Sequence, residues 1–558
     1  MKNTEKTSLE RLEKLEKLNI EELRGLVLEM LEMVQKKEET ITERDKQIDI
    51  LTQEVRLLRA QRYGRKSEAS RVEEAIENGQ LFLEGVLLFN EAEAIVDASE
   101  EDEQKIPVKE HTRKKRKSGK QKEDLSKLRK EEEHIRIDED ELAKMFPNGY
   151  RELPEEITSQ LEHIPTQYYV KEYHIHVYCA KDDNSNIVRA KAPTKLFTNS
   201  LASASMVSGV INAKYTNALP LYRVEQEFKR NEVPVSRQTM ASWVIKAAER
   251  YFSLFIERLK KELFTHHVIH SDETPTLVTK DGRKAGSKSY MWVYRSNVLD
   301  PNPLVIFDYQ MTRHASHPQE FLKDFRGKLV TDGYESYHKL ARLRSGEIIV
   351  AGCWVHAHRK FKDALKGLGK SGKNTAAGSI AEQAVEKIGN LIHEDNKLDN
   401  MTSEERLRKR KEILKPLVDE FFSWLTERRR EVTQKSLTGR AISYALNQEE
   451  YLRTFLRYGD VPMDNNAAEQ AIRPFCIGKK NWIMSDTIHG AEASAAIYSI
   501  VETAKANNLK PYEYIKFLLE EIPKHMDDTN LDFLDNLLPW SEKIPEECHI
   551  KEEAVTKS

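Results

Sequence analysis

The stretch HHVIHSDETPTLV, residues 266–278, decides how the rest of this chain is read. Val268 and Ile269 lead into polar Ser271, Asp272 and Glu273, and β-branched residues follow. That pattern predicts a strand with chemistry-bearing side chains at its end. Downstream, SYMWVYRS (289–296) and PLVIFDYQ (303–310) read as two more strands, and HPQEFLKDF (317–325) as a helix. GKLVTDG (327–333) is a fourth strand ending in Asp332, SYHKLARL (336–343) a helix, and GEIIVAGCWVH (346–356) a fifth strand.

This order predicts a five-stranded mixed sheet flanked by helices, the ribonuclease H-like α/β pattern. Working outward, 361–457 reads as a charged, helical insertion. VPMDNNAAEQAIRPFCIGKKNW (461–482) then supplies a short helix over 467–473, capped by Asp464 or Asn465 and limited by Pro474. The small-residue helix of 489–509 suits packing on a sheet, and a last helix near 511–522 precedes a loose acidic tail. The expected units are a helical arm (1–60), a basic leader and charged linker (61–133), a small β-containing module (134–196) and a helical region (197–263). The catalytic core follows in two parts (264–360 and 458–525) around the insertion (361–457), and a tail (526–558) ends the chain.

In the arm, Val34, Ile41, Ile48 and Val55 recur every seven residues, and Leu51 and Leu58 add a second seam position. The expectation is a self-associating coiled coil, imperfect where Lys37 and Arg44 take that position. Arg62, Arg65 and Lys66 cluster near Gly64, and HTRKKRKSGKQK (111–122) is a basic linker able to grip phosphates. In 221–252, LYRVEQEFKR, a NEVPV turn and a helix capped by Ser236 suggest a helix-turn-helix. Arg237, Gln238 and Thr239 would open its second helix, where such motifs reach base edges.

Length and composition set the frame. The 558 residues suffice for three or four folding units, 39% are hydrophobic and 32% charged, and the net charge is −3. Four scattered cysteines form no C-x-x-C pair, which argues against a disulfide scaffold or zinc ribbon and for a reducing, intracellular setting. The N-terminus has no apolar signal region, and no run is long enough to span a bilayer. There is no G-x-S-x-G and no phosphate-binding G-x-x-x-x-G-K-[ST] loop.

Carboxylates at strand ends can face one crevice, and a third from a nearby helix would complete an oxygen cage for Mg2+ or Mn2+. Asp272, Asp332 and Glu469 are the candidates, as catalytic residues and as metal ligands for two ions. Taken singly, each is also an ordinary turn or helix-surface residue. His266, His267 and His270, and Cys353, His356 and His358, lack a second partner at zinc spacing. Arg359, Lys360, Arg473, Lys479 and Lys480 are candidate DNA-phosphate contacts, with His356 beside them. Trp482 is either a base-stacking or a core residue.

HSDETP, YMWVY, TDGYESY, GCWVHAHRKF, DNNAAEQAIRPFCIGKKNW and TAKANNLKPYEYI together resemble the insertion-sequence-66 family of bacterial transposases. RYGRKSE, LFNEAEA, KYTNALPLYRVEQ, VSRQTMASWV and LLPWSE extend the likeness from about Leu57 to Trp540. The resemblance implies a ribonuclease H-like DDE domain with its carboxylates on Asp272, Asp332 and Glu469. It implies metal-dependent cleavage at the ends of an insertion element, strand transfer into target DNA, and accessory proteins encoded by the same element. It also implies a cytoplasmic, nucleoid-associated bacterial protein. One departure stands out: the family's zinc module with two C-x-x-C pairs is reduced here to Cys179, with Asp182 where a second cysteine is expected, so zinc is not expected. The rival classes are a DNA-binding protein without catalysis and a coiled-coil assembly protein. The three carboxylates argue against the first, and the arm supports the second only as an added role, homo-oligomer formation.

Overall fold

The computed structural model describes residues 20–63, 166–179, 187–368 except 285 and 299, and 378–550. The charged linker, Arg65 and Lys66 lie outside them. The first element is one long helix, α1 (Ile20–Tyr63). A minimal antiparallel pair follows, β1 (Val177–Cys179) with β2 (Ile187–Arg189).

The helical region comprises α2 (Ala204–Ile211), α3 (Leu221–Arg230), α4 (Arg237–Ala247) and α5 (Ser253–Leu263). α3 buries Val224 and Phe228 on one side and leaves its charged residues on the other. Ser236 caps α4 by accepting the Thr239 N–H at 3.2 Å, a contribution of about 1 kcal/mol. Arg237, Gln238 and Thr239 are exposed at the start of α4, as the sequence suggests.

The sheet contains β3 (Val268–Lys280), β4 (Lys288–Ser296), β5 (Val305–Gln310), β6 (Gly327–Thr331) and β7 (Ile348–Gly352). α6 (Ser316–Phe321) lies between β5 and β6, and α7 (Glu335–Leu343) between β6 and β7. The strand order is β5-β4-β3-β6-β7. The β3–β4 and β4–β5 pairs are antiparallel, and β3–β6 and β6–β7 are parallel. Met291, Trp292, Val293 and Tyr294 of β4 are buried consecutively rather than alternately, the mark of a strand covered on both faces.

From β7 the chain enters α8 (Trp354–Leu368) and then the insertion: α9 (Ile380–Asn396), α10 (Ser403–Lys409), α11 (Lys415–Arg428), α12 (Leu437–Asn447) and α13 (Glu449–Leu452). The insertion has its own core, in which Trp354 packs on Phe421 and Phe422 with ring centroids 5.7 and 5.9 Å apart. The Trp354 indole N–H donates to the Leu452 carbonyl at 2.9 Å. Arg410 is 1% exposed; it pairs with Asp395 at 2.7 and 2.8 Å and donates to the Phe455, Tyr458 and Val461 carbonyls. One buried cation thus shapes the loop that returns the chain to the sheet.

The return elements are α14 (Asn466–Trp482), β8 (Ser485–Thr487), α15 (Ile488–Ala506) and α16 (Pro511–Glu521). Three expectations are corrected here. Pro474 does not limit the first of these helices, which runs on to Trp482. Pro474 is only half-buried, while Ala468, Ala471, Ile472, Phe475 and Gly478 keep one continuous face in the core, and that packing outweighs the lost amide bond. The sheet also gains a sixth strand, because β8 pairs in parallel with the far end of β3, Val278 opposite Ser485. The tail is not loose as far as Ile550. Leu534, Leu537, Leu538, Ile544 and Cys548 are buried, and the Tyr514 hydroxyl donates to the Leu537 carbonyl at 2.7 Å.

α15 seals the sheet edge. Ser499 Oγ accepts the Phe307 N–H at 2.8 Å, and Thr503 Oγ1 both accepts from Val305 N at 3.0 Å and donates to Val305 O at 2.9 Å. These hydroxyls satisfy an edge strand that would otherwise present open backbone groups. Among the described residues no helix is long and apolar enough to cross a membrane.

Candidate active site

The parallel pairing of β3 with β6 ends at His270 opposite Val330. Asp272 and Asp332 lie just past those residues on adjacent strands, where side chains leave the sheet towards a common crevice. Asp272 is inside β3 rather than at its end, because β3 continues along β4, with Asp272 opposite Val293. Asp272 Oδ1 accepts the Glu273 N–H at 2.9 Å, and Asp332 Oδ1 accepts the Tyr334 N–H at 3.0 Å. Gly333 makes the second turn possible. Its φ is +86°, and an added Cβ would stand 2.8 Å from Gln448 Oε1, so only glycine lets the insertion close over Asp332. The Tyr444 hydroxyl donates to the Asp332 carbonyl at 2.7 Å.

α14, which touches both β3 and β4, carries Glu469 in its first turn. Its start is bolted to the sheet by Asn465, which is 0% exposed. Asn465 Nδ2 donates to the Ser271 carbonyl at 2.8 Å, Oδ1 faces His270 Nδ1 at 3.0 Å, and the Asn465 N–H meets Cys353 Sγ at 3.3 Å. Because the amide nitrogen is spent on Ser271, the oxygen faces His270, whose Nδ1 therefore carries the proton. Burial pushes the His270 pKa down to about 4, so the ring is neutral. Asp464 Oδ1 accepts the Asn466 N–H at 2.9 Å, and burial raises its carboxyl to about 6. Asn465 takes the N-cap position of α14 without capping it, since it spends its side chain on the sheet, and Asp464 before it accepts the first helical N–H instead.

Electrostatics join the three candidate carboxylates. Burial, then the negative charges of Glu273, Asp332 and Glu469, hold the Asp272 carboxyl well above the ordinary carboxylate range. Glu469 is engaged elsewhere: Arg359 Nη2 reaches its two oxygens at 3.1 and 3.4 Å, and His356 Nδ1 stands 3.5 Å away. Among the described residues no three His, Cys, Asp or Glu side chains form a ready metal cage. The donor chemistry nevertheless fits a hard divalent cation, since the acceptors are oxygen-only and their mutual repulsion is what a cation relieves.

The other candidates fall in several places. Lys479 Nζ donates to the Pro275 carbonyl at 2.6 Å, tying α14 to β3, whereas Arg473 and Lys480 are exposed. Lys360 is exposed and lies over the Tyr444 ring, 5.7 Å from its centroid. Trp482 is half-buried, packs edge-on to Tyr215 at 6.4 Å, and carries Lys214 over its ring at 5.5 Å. His266 pairs with Asp300 at 2.8 Å. Arg62 belongs to the last turn of α1. A residue missed by sequence reasoning is Glu273, whose side chain is 1% exposed. It accepts from Arg313 Nε at 2.7 Å, from Arg313 Nη2, and from the Tyr337 hydroxyl at 3.0 Å. HSDETP shows two adjacent acids, but nothing near them in sequence signals the arginine that neutralises the second.

A mixed α/β core with two strand-borne carboxylates, a third on a packed helix and a helical insertion between them defines the class: a multidomain protein with an acidic crevice beside its central sheet. Comparison with known families makes the assignment specific, and the chain belongs to the transposase IS66 family, whose model matches residues 199–493. The IS66 C-terminal element matches 499–540, and a region described as the transposase C of IS166 homeodomain matches 50–132. Membership implies a role in transposition and contact with DNA. Two uncharacterised proteins of Sinorhizobium fredii are similar. y4hP is 27% identical over 405 residues, 70% of this chain and 71% of its own, and y4qI is 30% identical over 371 residues, 64% and 66%.

Proposed function

We propose that this chain is a DDE-type transposase with a ribonuclease H-like core, which cuts DNA at the ends of an insertion element and joins the freed 3′-hydroxyl to target DNA. The observation that carries this reading is the position of Asp272 in β3, Asp332 directly after the neighbouring β6 and Glu469 in the first turn of α14, which packs on β3, from three distant parts of the sequence. Asp272 and Asp332 would hold divalent cations, Mg2+ or Mn2+, with Glu469 completing the set. Such ions activate an attacking oxygen and neutralise charge on the phosphoryl group.

The chain's own residues prepare that site. Asn465 fixes where Glu469 starts, Gly333 and Tyr444 hold the Asp332 turn, and the Glu273 backbone orients Asp272. Arg359 occupies Glu469 and is exposed on α8 beside Lys360, so an incoming phosphate would compete with Glu469 for the guanidinium. The exposed start of α4, with Arg473 and Lys480, extends the proposed DNA surface, and Arg62, Arg65 and Lys66 would add to it.

The arm is proposed to pair two copies. Val34, Ile41, Ile48, Leu51 and Val55 are all exposed, between 46% and 61%. The arm rests on its own chain near its end, where Glu54 meets Arg440 at 2.6 Å. The unit boundaries, the accessory proteins and the nucleoid setting belong to the same proposal.

The test is nicking and strand transfer on duplexes carrying the element's own ends, with Mg2+ or Mn2+. Wild type should cut, and Asp272→Ala, Asp332→Ala and Glu469→Ala should bind DNA but not cut. Variants that cut like the wild type would remove the triad, and tight binding without cutting by any form would favour a non-catalytic DNA-binding protein.

A further inference from the structure

The loop between β5 and α6 brings an arginine to the acidic crevice that no family motif quoted above contains. Arg313 gives Nε, at 2.7 Å, and Nη2 to Glu273 Oε1. Its guanidinium lies over the Tyr334 ring, 3.7 Å from the centroid. The Tyr334 hydroxyl donates back to the Arg313 carbonyl at 2.7 Å. Glu273 directly follows Asp272, and the Tyr334 N–H is held by Asp332. The arginine is therefore fixed from two sides by the neighbours of both strand-borne carboxylates.

Its two ends differ. The Glu273 side chain is 1% exposed, while that of Arg313 is 38% exposed. Nη1 makes no hydrogen bond among the described residues, so the fork keeps donors for a ligand after its pairing with Glu273. The crevice is otherwise crowded with negative charge, which repels a DNA backbone; a planar, always-charged fork at its edge offsets that repulsion. Stacking and pairing fix the guanidinium before DNA arrives, so little orientational freedom is lost on contact.

We infer that Arg313 is a phosphate-binding residue of the cleavage site, taking a non-bridging oxygen of the DNA strand that enters the crevice. Glu273 and Tyr334 are its positioning residues. This rests on the transposase reading above.

The experiment uses the full chain and duplexes carrying the element's ends, with one neutral methylphosphonate placed in turn at each backbone position around the cut. Binding and nicking are both measured, for the wild type, Arg313→Gln and Arg313→Lys. One methylphosphonate position should weaken wild-type binding about tenfold, have no effect on Arg313→Gln, and lower the salt slope of wild-type binding by about 1. Arg313→Lys keeps the charge and the Glu273 pair but loses the fork, so its response at that position should be intermediate. It also serves if Arg313→Gln folds poorly. If every position penalises wild type and both variants equally, Arg313 only neutralises Glu273 and the inference is overturned. If no form nicks but the position-specific coupling is present, the catalytic reading fails and the phosphate contact stands. If no form binds DNA, both fall.

Discussion

Replacing Asn465 with alanine removes two hydrogen bonds from beneath the acidic crevice. The bond to the Ser271 carbonyl at 2.8 Å is lost, and the proton on His270 Nδ1 loses its acceptor at 3.0 Å. His270 is 1% exposed, and its Nε2 already has no partner among the described residues, so the ring becomes an orphaned buried polar group. The orphaned donor costs about 1–3 kcal/mol and the lost bond at Ser271 about 1 kcal/mol, giving roughly 2–4 kcal/mol. For a folding unit of this size that lowers the melting temperature by roughly 5–15 °C. The same change frees the start of α14, so Glu469 moves relative to Asp272, and metal-dependent nicking should drop about 100-fold or more. Asn465→Asp separates the two effects. It keeps an acceptor for His270 but sets a carboxylate against the Ser271 carbonyl. Burial raises the pKa of that carboxyl above its unfolded value, so the variant should be most stable at acid pH and lose stability as pH rises through the raised value. Thermal unfolding over a pH series and nicking under matched conditions read both. An Asn465→Ala protein that melts and nicks like the wild type would refute the idea that this amide positions Glu469.

Three further outcomes are expected. Asp272 has a folded pKa well above the ordinary range, and burial raises Asp308 and Asp464 to about 6. Each such group stabilises below the ordinary carboxylate range, and the contribution is lost as pH rises through the folded value. Ion-free protein should therefore lose melting temperature as pH rises through about 6, Mn2+ should raise the melting temperature where Asp272 is ionised, and Asp272→Asn should raise the ion-free value while abolishing most of the Mn2+ response. Arg410→Met leaves Asp395 buried without its partner and should cost about 3–5 kcal/mol in urea denaturation, with Asp395→Leu added to it recovering much of the loss. Ile41→Asp with Ile48→Asp should convert a self-associated species to a monomer in sedimentation velocity without changing the unfolding of the sheet; unchanged association would remove the arm from the interface.

The order of strands and helices around Asp272 was legible because each apolar run has a strand's length and composition, and turn residues separate the runs. Asp272, Asp332 and Glu469 could be singled out as candidates because two follow an apolar run and the third, preceded by Asp464-Asn465-Asn466, lies in a helix. Other features were hidden by physics that acts at a distance. β8 is Ser485-Asp486-Thr487, polar residues held to β3 by backbone pairing and by Thr279 and Lys280, which donate to Asp486, so no hydrophobic pattern announces it. Pro474 reads as a stop because local propensity cannot see the core face that carries α14 past it. The segment after Met526 averages as acidic, yet a few irregularly spaced apolar residues, Leu534, Leu537 and Cys548 among them, dock it. Glu273 becomes part of the site only through Arg313 and Tyr337, which the fold delivers from other elements.

The most direct test of the account is where a divalent ion binds. Crystals of the full chain with an element-end duplex and Mn2+, measured at the manganese absorption edge, should show anomalous density against the Asp272 and Asp332 carboxylates, with Glu469 released from Arg359 and turned to the same site. Density at another cluster, or ordered Mn2+ that ignores Asp272 and Asp332 while the DNA is bound, would contradict it.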